Sequence, residues 1–273
     1  MFHQNKNSLI DDLLNDSMNM RIQMMILCCI LMFHFIIINL MLEILYDHPD
    51  FVAINKPHDL LVHRTAIAKD VQECALQLLR DQLGHLVYPV HRLDRKTGGV
   101  LLFGKSRKAL TLISNQFQSR SVQKSYLAIV RGFTDPRGTI DYPLKNDSGK
   151  TQEAITNYWT LAKTELNFPS AHHSTSRYSL IGLLPFTGRM HQLRKHMAHI
   201  LHPIVADRPY GCNKQNKIFK EKFTMMTMLL HASKLSFEWE GATIDICAKP
   251  QAEFKRMLNF LKLPINSVNF GEI

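Results

Sequence analysis

The sequence predicts an α+β fold in which a mixed, mainly antiparallel sheet carries flanking helices. Short apolar runs bounded by Asp, Asn, Pro and Gly alternate with amphipathic segments of helical spacing. In the second half, the predicted strands follow one another without crossover helices, which favours antiparallel pairing. Hydrophobic residues make up 45% of the 273 residues, which is enough for a sizeable core.

The first half supplies three predicted strands and two predicted helices. Strands at 42–46 and 51–55 flank the turn-forming segment Asp-His-Pro-Asp, and Gly-Val-Leu-Leu-Phe-Gly at 99–104 is typical of a buried strand. Helices are predicted at 71–83 and 107–119, because apolar residues recur there at helical spacing.

The second half is predicted to be mostly strand. The polar segment 146–153 is expected to be a loop. Because no internal repeat or low-complexity linker divides the pattern, residues 41–273 are expected to form one domain. Strands are predicted at 125–130, 154–161, 177–184, 229–237 and 243–248, and helices at 190–201 and 252–261.

Residues 1–40 are expected to be a hydrophobic N-terminal extension of that domain. Residues 22–41 form a mostly apolar run that is long enough to cross a bilayer. Acidic residues precede the run and no small-residue cleavage site follows it, so a secretory signal fits poorly. The preferred interpretation is that translation starts at Met41, where a plausible first strand opens. A membrane anchor is the alternative.

The charge of the chain favours a polyanionic partner. Lys and Arg total 33 against 23 Asp and Glu, a net charge of +10 with His neutral. Cations that neutralise phosphates release condensed counterions, so nucleic acid is the favoured partner, although the charge could serve solubility alone. The five cysteines are irregularly spaced and form no CxxC pair, which disfavours a disulfide framework or zinc ribbon and fits a reducing cytoplasm.

The densest cluster of reactive side chains is the segment 91–99, His-Arg-Leu-Asp-Arg-Lys-Thr-Gly-Gly. Asp94 is flanked there by Arg92, Arg95 and Lys96, cations that favour the charged carboxylate. The Thr-Gly-Gly that follows can turn the backbone sharply before the next strand. Such a carboxylate suits nucleophilic or electrostatic work on a ribose. An ordinary surface ion pair is the alternative.

A second basic cluster lies at 185–196, Pro-Phe-Thr-Gly-Arg-Met-His-Gln-Leu-Arg-Lys-His. A helix N-terminus with guanidinium groups can bind an anion, either a phosphate or Asp94 itself, whereas the alternative is a solvated basic face. The first helical turns of the basic cluster carry Arg189, His191, Arg194 and Lys195.

Gln-Lys-Ser-Tyr at 123–126 opens an apolar strand, where Tyr126 could stack on a base, take a proton or simply belong to the core.

The histidines offer a metal site as an alternative chemistry. Several of them share a predicted helix face, but neighbouring Arg and Lys would repel a cation and no HExxH motif occurs. A metal is therefore not expected. The ligands of such a site would come from His191, His196, His199, His202, Asp207 and His231.

Together these segments resemble the RluA-type pseudouridine synthases. His-Arg-Leu-Asp-Arg-Lys-Thr at 91–97 resembles the catalytic signature of that family. The resemblance covers much of residues 42–248 and implies the family's catalytic domain with a central basic cleft. It also implies isomerisation of a uridine in RNA with neither metal nor coenzyme. Four further motifs follow the family's order: Asn-Lys-Pro at 55–57, Gln-Lys-Ser-Tyr at 123–126, Thr-Gly-Arg-Met-His-Gln-Leu-Arg-Lys-His at 187–196 with His-Pro-Ile at 202–204, and Leu-Leu-His-Ala at 229–232.

The resemblance implies a role for individual residues. Asp94 would be the nucleophile that lets uracil detach from its ribose and return bonded through C5. Tyr126 would lie against the flipped base and take the C5 proton, and Arg194 would pair with Asp94. Arg92 would enter the RNA stack, because the target base must be flipped out before its C1′–N1 bond is accessible. Further RNA contacts are expected from Lys124, Arg189, His191 and Lys195.

Three places depart from the family pattern. Gly98 stands where the family usually has Ser, His58 and Asp59 replace a usual Ser-Gly, and Ala206 replaces a usual Gly. An Asp tolerates left-handed backbone, so the fold is expected to be preserved. A protein that binds RNA but has lost catalysis is therefore an alternative function, as is a metal-dependent hydrolase.

Finer features resemble the members of this family that act on tRNA, and the resemblance implies position 65 in the T-arm stem, with ribosomal RNA as the alternative substrate. No separate RNA-binding module fits, so the domain is expected to recognise RNA alone, without a protein partner. Four lysines at 214–222 could extend its cleft or lie in a solvated loop. Membrane association is expected only if residues 22–41 are an anchor. The finer features are Leu-Val-His-Arg at 61–64, His-Met-Ala-His at 196–199, and Tyr-Gly at 210–211 leading to Lys-Gln-Asn at 214–216.

Overall fold

A computed structural model describes residues 41–64, 73–169, 174–225 and 227–264. The interpretations offered for residues 1–40 lie outside the described residues. In the described ranges, no helix combines the length and apolar character that a membrane span requires. The strands are β1 (Ile44–Asp47), β2 (Phe51–Lys56), β3 (Tyr88–Pro89), β4 (Gly98–Gly104), β5 (Gln123–Arg131), β6 (Arg137–Asp141), β7 (Leu144–Lys145), β8 (Thr151–Gln152), β9 (Ile155–Leu166), β10 (Ser176–Pro185), β11 (Leu230–Trp239) and β12 (Ala242–Cys247), and the helices are α1 (Ala75–Leu83), α2 (Arg107–Gln118), α3 (Gln192–His199), α4 (Asn213–Phe223) and α5 (Ala252–Phe260).

Ten of these strands form one sheet in the order β1-β2-β4-β11-β5-β10-β9-β6, with β3 paired to β4 and β12 paired to β11. The described ladders of this sheet are antiparallel except the short one between β4 and β11, where His231 lies opposite Gly98 and Ala232 opposite Gly99. The strands β7 and β8 form a separate hairpin. The predicted mixed, mainly antiparallel α+β fold is therefore confirmed.

The parallel contact between β4 and β11 depends on a glycine. Gly99 has a φ of 112°, and a Cβ atom there would overlap the backbone of Ala232. Only a residue without a side chain lets the two strands approach this closely. The sharp turn predicted for the Thr-Gly-Gly segment is thus the place where the segment that carries Asp94 enters the centre of the sheet.

Helices cover both faces of the sheet because its central strands are apolar on both sides. In β5, Leu127 and Ile129 pack in a cluster with α4 and α5, whereas Ala128 and Val130 pack in a cluster with α3. This period of two matches the alternation of side chains along a strand. Tyr126 lies at the edge of the α3 cluster and also contacts the cluster formed with α1. The tyrosine is thereby placed between two helix-covered regions.

The structure differs from the predicted elements in four places. The helix predicted at 190–201 begins only at Gln192, since His191 adopts a left-handed conformation with a φ of 56°. A strand, β6, and a helix, α4, occupy segments for which neither was predicted. The strand is mostly exposed and the helix buries only Gln215 and Phe219, so neither leaves a clear apolar pattern. The segment 146–153 is mainly a loop, but it contains β8.

Candidate active site

Asp94 lies in the loop that leads from β3 into β4. The backbone N–H of Thr97 donates to the Asp94 carbonyl at 3.0 Å and closes a turn at the carboxylate. The buried ammonium of Lys56 holds the next residue, because its Nζ donates to the Arg95 carbonyl at 3.1 Å and also to the carbonyls of Pro57 and Leu60. Burial lowers the pKa of Lys56 to about 7. The loop is therefore fixed from β2.

Arg194, in α3, lies between two carboxylates. Its Nη1 donates to Asp94 Oδ2 at 2.9 Å, while its Nε and Nη2 donate to Asp207 Oδ2 and Oδ1, each at 2.8 Å. Burial alone would lower the pKa of Arg194, but the hydrogen bonds and charges of Asp207 and then Asp94 raise it. The guanidinium thus presents a fixed hydrogen bond to Asp94. The predicted pairing of Arg194 with Asp94 is observed.

A buried polar network positions the start of α3. The side-chain Nε2 of Gln192 donates to Ile155 O and Thr156 Oγ1 on β9, both at 3.0 Å. Its Oε1 accepts hydrogen bonds from Thr187 Oγ1 at 2.6 Å and from the backbone N of Arg189 at 3.0 Å. Because each end of this amide is bonded, the first turn of α3, and with it Arg194, is tied to the sheet.

His191 faces the second oxygen of Asp94. Its Nε2 lies 3.8 Å from Asp94 Oδ1, and its Nδ1 lies 3.1 Å from the hydroxyl of Tyr210. A hydroxyl that donates to Nδ1 leaves the imidazole proton on Nε2, the nitrogen that faces Asp94. The pKa of His191 is lowered mainly by burial. The Tyr210 ring also lies 5.1 Å from the Arg194 guanidinium carbon, so it packs against both partners of Asp94.

These groups surround a cavity of about 510 Å³. Arg92 is exposed at this cavity, and Tyr126 and Lys124 approach it from β5. Burial, and then the charge of Asp94, raise the pKa of Tyr126, so its hydroxyl stays protonated in this state. Burial lowers the pKa of Lys124. Seven of the eight predicted site residues line the cavity: Asp94, Tyr126, Arg194, Arg92, Lys124, Arg189 and His191.

The eighth predicted residue, Lys195, lies outside the residues that line the cavity. Its ammonium is 6.0 Å from the centre of the Tyr210 ring. Arg189 lines the cavity, but its Nε donates to the backbone carbonyl of Glu153 at 2.9 Å. Arg92, Lys124 and Arg189 therefore place positive charge around a pocket whose carboxylates are Asp94, paired with Arg194, and Asp147, an arrangement suited to a phosphate-bearing ligand.

The histidines of the metal hypothesis are engaged elsewhere. His196 bonds Thr156 Oγ1 and Tyr142 O, each at 3.0 Å, and His202 bonds Arg131 O at 2.8 Å. His231 bonds Ala248 O at 3.0 Å. Across the ranges that the structure describes, no three His, Cys, Asp or Glu side chains are grouped as metal ligands. The hydrolase alternative therefore has no site among these residues.

Asp207 and Tyr210 are site residues that the sequence did not reveal in this role. The sequence suggested Asp207 only as a candidate metal ligand, yet its fully buried carboxylate binds Arg194 on the side opposite Asp94.

The positions that depart from the family pattern are accommodated by the backbone. Asp59 and Ala206 have φ values of 65° and 62°, the left-handed conformation in which glycine is most at ease. The expectation that Asp59 tolerates such a turn is confirmed.

Comparison with known proteins adds an independent line of observation. Residues 50–199 match the model of the RNA pseudouridylate synthase family. The chain is 43% identical over 241 residues to tRNA pseudouridine synthase C of Pasteurella multocida (strain Pm70), which covers 84% of this chain and 99% of the relative. It is 45% identical over 208 residues to the Vibrio vulnificus (strain CMCP6) protein of the same name, covering 72% of this chain and 85% of that protein.

A solved structure is similar as well. Human RNA Pseudouridylate Synthase Domain Containing 4 matches with a TM-score of 0.65 and 25% identity, over 82% of this chain and 94% of the human chain.

Proposed function

Since the chain belongs to the RNA pseudouridylate synthase family and is an isomerase, we propose that it converts uridine to pseudouridine in tRNA, at position 65 of the T-arm stem. The relatives named tRNA pseudouridine synthase C support the tRNA substrate. The observation that supports Asp94 as the catalytic carboxylate is its fixed bond to Arg194 beside Tyr126 in the cavity. Residues 41–273 are proposed to form the catalytic domain.

The proposed reaction breaks the N1–C1′ bond of uridine, turns the uracil and forms a C5–C1′ bond. The base loses its proton at C5 and carries one at N1, so the composition is unchanged. Asp94 acts on the ribose. Arg194 holds the Oδ2 atom of Asp94, which leaves Oδ1, the oxygen that His191 faces, to act on the ribose. Tyr126 lies against the flipped base. To take the C5 proton, it must first give up its own, which its raised pKa opposes before RNA binds.

RNA recognition is proposed to depend on cations around the cavity and to need no protein partner. Arg92 enters the space in the RNA stack from which the target base is flipped, while Lys124, Arg189, His191 and Lys195 contact the backbone nearby. The α4 lysines extend this surface. Lys217 and Lys220 line a groove of about 610 Å³ together with Arg208, and the helix is bonded to the loop that carries Asp207.

The test is release of tritium from tRNA that carries C5-tritiated uridine. Asp94→Asn should abolish release and leave tRNA binding unchanged, because the substitution removes the charge and keeps the shape. Asp81→Asn is the matched control, since Asp81 is exposed on α1, where its Oδ1 accepts a hydrogen bond from Gln77 Nε2 at 2.8 Å. Full activity in Asp94→Asn would refute the mechanism. Tritium release that is absent from the unaltered protein, with tRNA binding intact, would favour an RNA-binding protein without catalysis.

The proposed site of modification in the RNA is tested separately, by mapping pseudouridines in tRNA and ribosomal RNA from a strain that lacks the gene. Loss at position 65 of tRNA alone, restored by the unaltered gene but not by one encoding Asp94→Asn, is the expected result. Loss in ribosomal RNA instead would replace the proposed substrate.

A further inference from the structure

Two departures from the family pattern, His58 and Gly98, meet in space. A Cβ atom on Gly98 would lie 2.9 Å from Nε2 and 3.1 Å from Cδ2 of His58. Those distances are shorter than ordinary van der Waals contact, so the imidazole occupies the space that a side chain at position 98 would need. Gly98 is the first residue of β4 and directly follows the loop that carries Asp94. A side chain at position 98 and the imidazole of His58 would therefore occupy the same space.

The imidazole of His58 is held in one orientation. Its Nδ1 lies 2.8 Å from the Lys96 carbonyl, and because a carbonyl only accepts, Nδ1 carries the proton. Nε2 is then the unprotonated nitrogen, and it is buried against Gly98 with no hydrogen-bond partner among the residues that the structure describes. The backbone N of His58 donates to Gln251 Oε1 at 3.1 Å, and Gln251 Nε2 donates to Lys56 O at 2.7 Å. Burial lowers the pKa of His58, which favours this neutral form.

The bond to Lys96 acts on the loop of Asp94. This loop is also held by the Lys56 ammonium at the Arg95 carbonyl, and by Arg95 Nε, which donates to the Asp59 carbonyl at 2.9 Å. Segments 56–59 and 94–97 are thus joined by three hydrogen bonds. The bond from His58 is the one nearest the entry into β4, where a side-chain hydroxyl is missing because residue 98 is glycine.

We propose that His58 is a positioning residue for Asp94, and that His58 and Gly98 form a matched pair in which the imidazole braces the loop that a side chain at position 98 would otherwise help to hold. The proposal rests on the proposed function in one respect, since Asp94 must be the catalytic carboxylate. His58 itself is not one of the described residues that line the cavity.

A double-mutant cycle on the full chain tests the proposal. His58→Ala should lower kcat for tritium release three- to tenfold, the range of one neutral hydrogen bond, and leave KM for tRNA within twofold. Gly98→Ser should also lower kcat, because the new side chain would meet His58. The variant carrying both changes should recover kcat above either single variant, since the imidazole is then gone and the remaining close neighbour, Gln251 Oε1 at 3.1 Å from the new Cβ, has to move by only a few tenths of an ångström. His58→Asn should stay within twofold, because its amide can donate to Lys96 as Nδ1 does. His85→Ala, at an exposed histidine, is the control.

The melting temperature of each variant separates positioning from simple loss of fold. Additive losses in the cycle, or a loss in His58→Asn equal to that in His58→Ala, would overturn the matched pair. A rise in KM without a fall in kcat would also overturn it. If Asp94→Asn is fully active, the proposed function fails whatever the cycle shows. If Asp94→Asn is inactive and the cycle is additive, only the role of His58 fails.

Discussion

Asp207→Asn perturbs the site without touching the catalytic carboxylate. The Asp207 carboxylate is fully buried and accepts two hydrogen bonds from Arg194, each at 2.8 Å. An asparagine of the same shape offers one accepting oxygen, and its NH₂ group then faces a guanidinium N–H donor. One charge-assisted hydrogen bond, worth about 1.5–3 kcal/mol, is lost. Arg194 must shift, and its bond to Asp94 shifts with it.

That loss predicts two measurable effects. If most of this free energy is lost from the positioning of Asp94 in the reaction, single-turnover tritium release from C5-labelled tRNA should slow roughly ten- to hundredfold. If about 2 kcal/mol is lost from stability, the melting temperature should fall by roughly 4–8 °C. Asp245→Asn is the matched control, because this half-exposed carboxylate pairs with Lys234 at 3.3 Å, and surface pairs contribute little.

The reasoning would be refuted by an Asp207→Asn enzyme that melts at the temperature of the unaltered protein, since the buried pair would then be worth nothing. An enzyme that melts lower but reacts at the unaltered rate would show that Asp207 supports the fold and not the orientation of Asp94.

Three further perturbations address separate features. Tyr210→Phe removes the hydroxyl that fixes the His191 tautomer, so single-turnover release should slow about tenfold while tRNA binding is retained; an unchanged rate would remove this pair from the mechanism. His231 is buried and its pKa is lowered to about 4, so its stabilising contribution is fully present above pH 6.5 and is lost as the pH falls toward 4. In His231→Gln, the free energy of unfolding measured in urea should change by about 3 kcal/mol less between pH 6.5 and 4 than it does in the unaltered protein. An unchanged pH slope would contradict the assignment. Lys217→Ala combined with Lys220→Ala should weaken tRNA binding and reduce its salt slope by about 2, whereas an unchanged slope would leave these lysines in a solvated face.

Much of the fold was predictable because its central strands leave strong signals. The buried strand β4 is a continuous apolar run and β2 opens with one, and their predicted bounds agree with the observed ones to within a residue. The helix α4 was missed for the opposite reason, since its lysines and its small buried face resemble a loop. The start of α3 was misplaced because the left-handed His191 leaves no mark in hydrophobic spacing.

The site was predictable only where one short segment carried the chemistry. Asp94 and Arg194 each lie in a dense motif, so the resemblance to the family implied their pairing although they are 100 residues apart. Asp207 carries no such motif, and its importance follows from a guanidinium that reaches it through the fold. The fit of His58 against Gly98 was equally hidden, because no local pattern relates a residue after β2 to the first residue of β4.

The place of β11 in the sheet has a consequence for how the molecule is made. This strand comes near the end of the chain, yet it lies between β4 and β5, and it joins the half that holds Asp94 to the half that leads to Arg194. A nascent chain that has emerged only as far as α4 holds every proposed catalytic residue but lacks the strand that unites them. Such long-range closure raises the contact order and slows folding. Activity should therefore appear late, after the ribosome has released the C-terminal strands, with little function in truncated products.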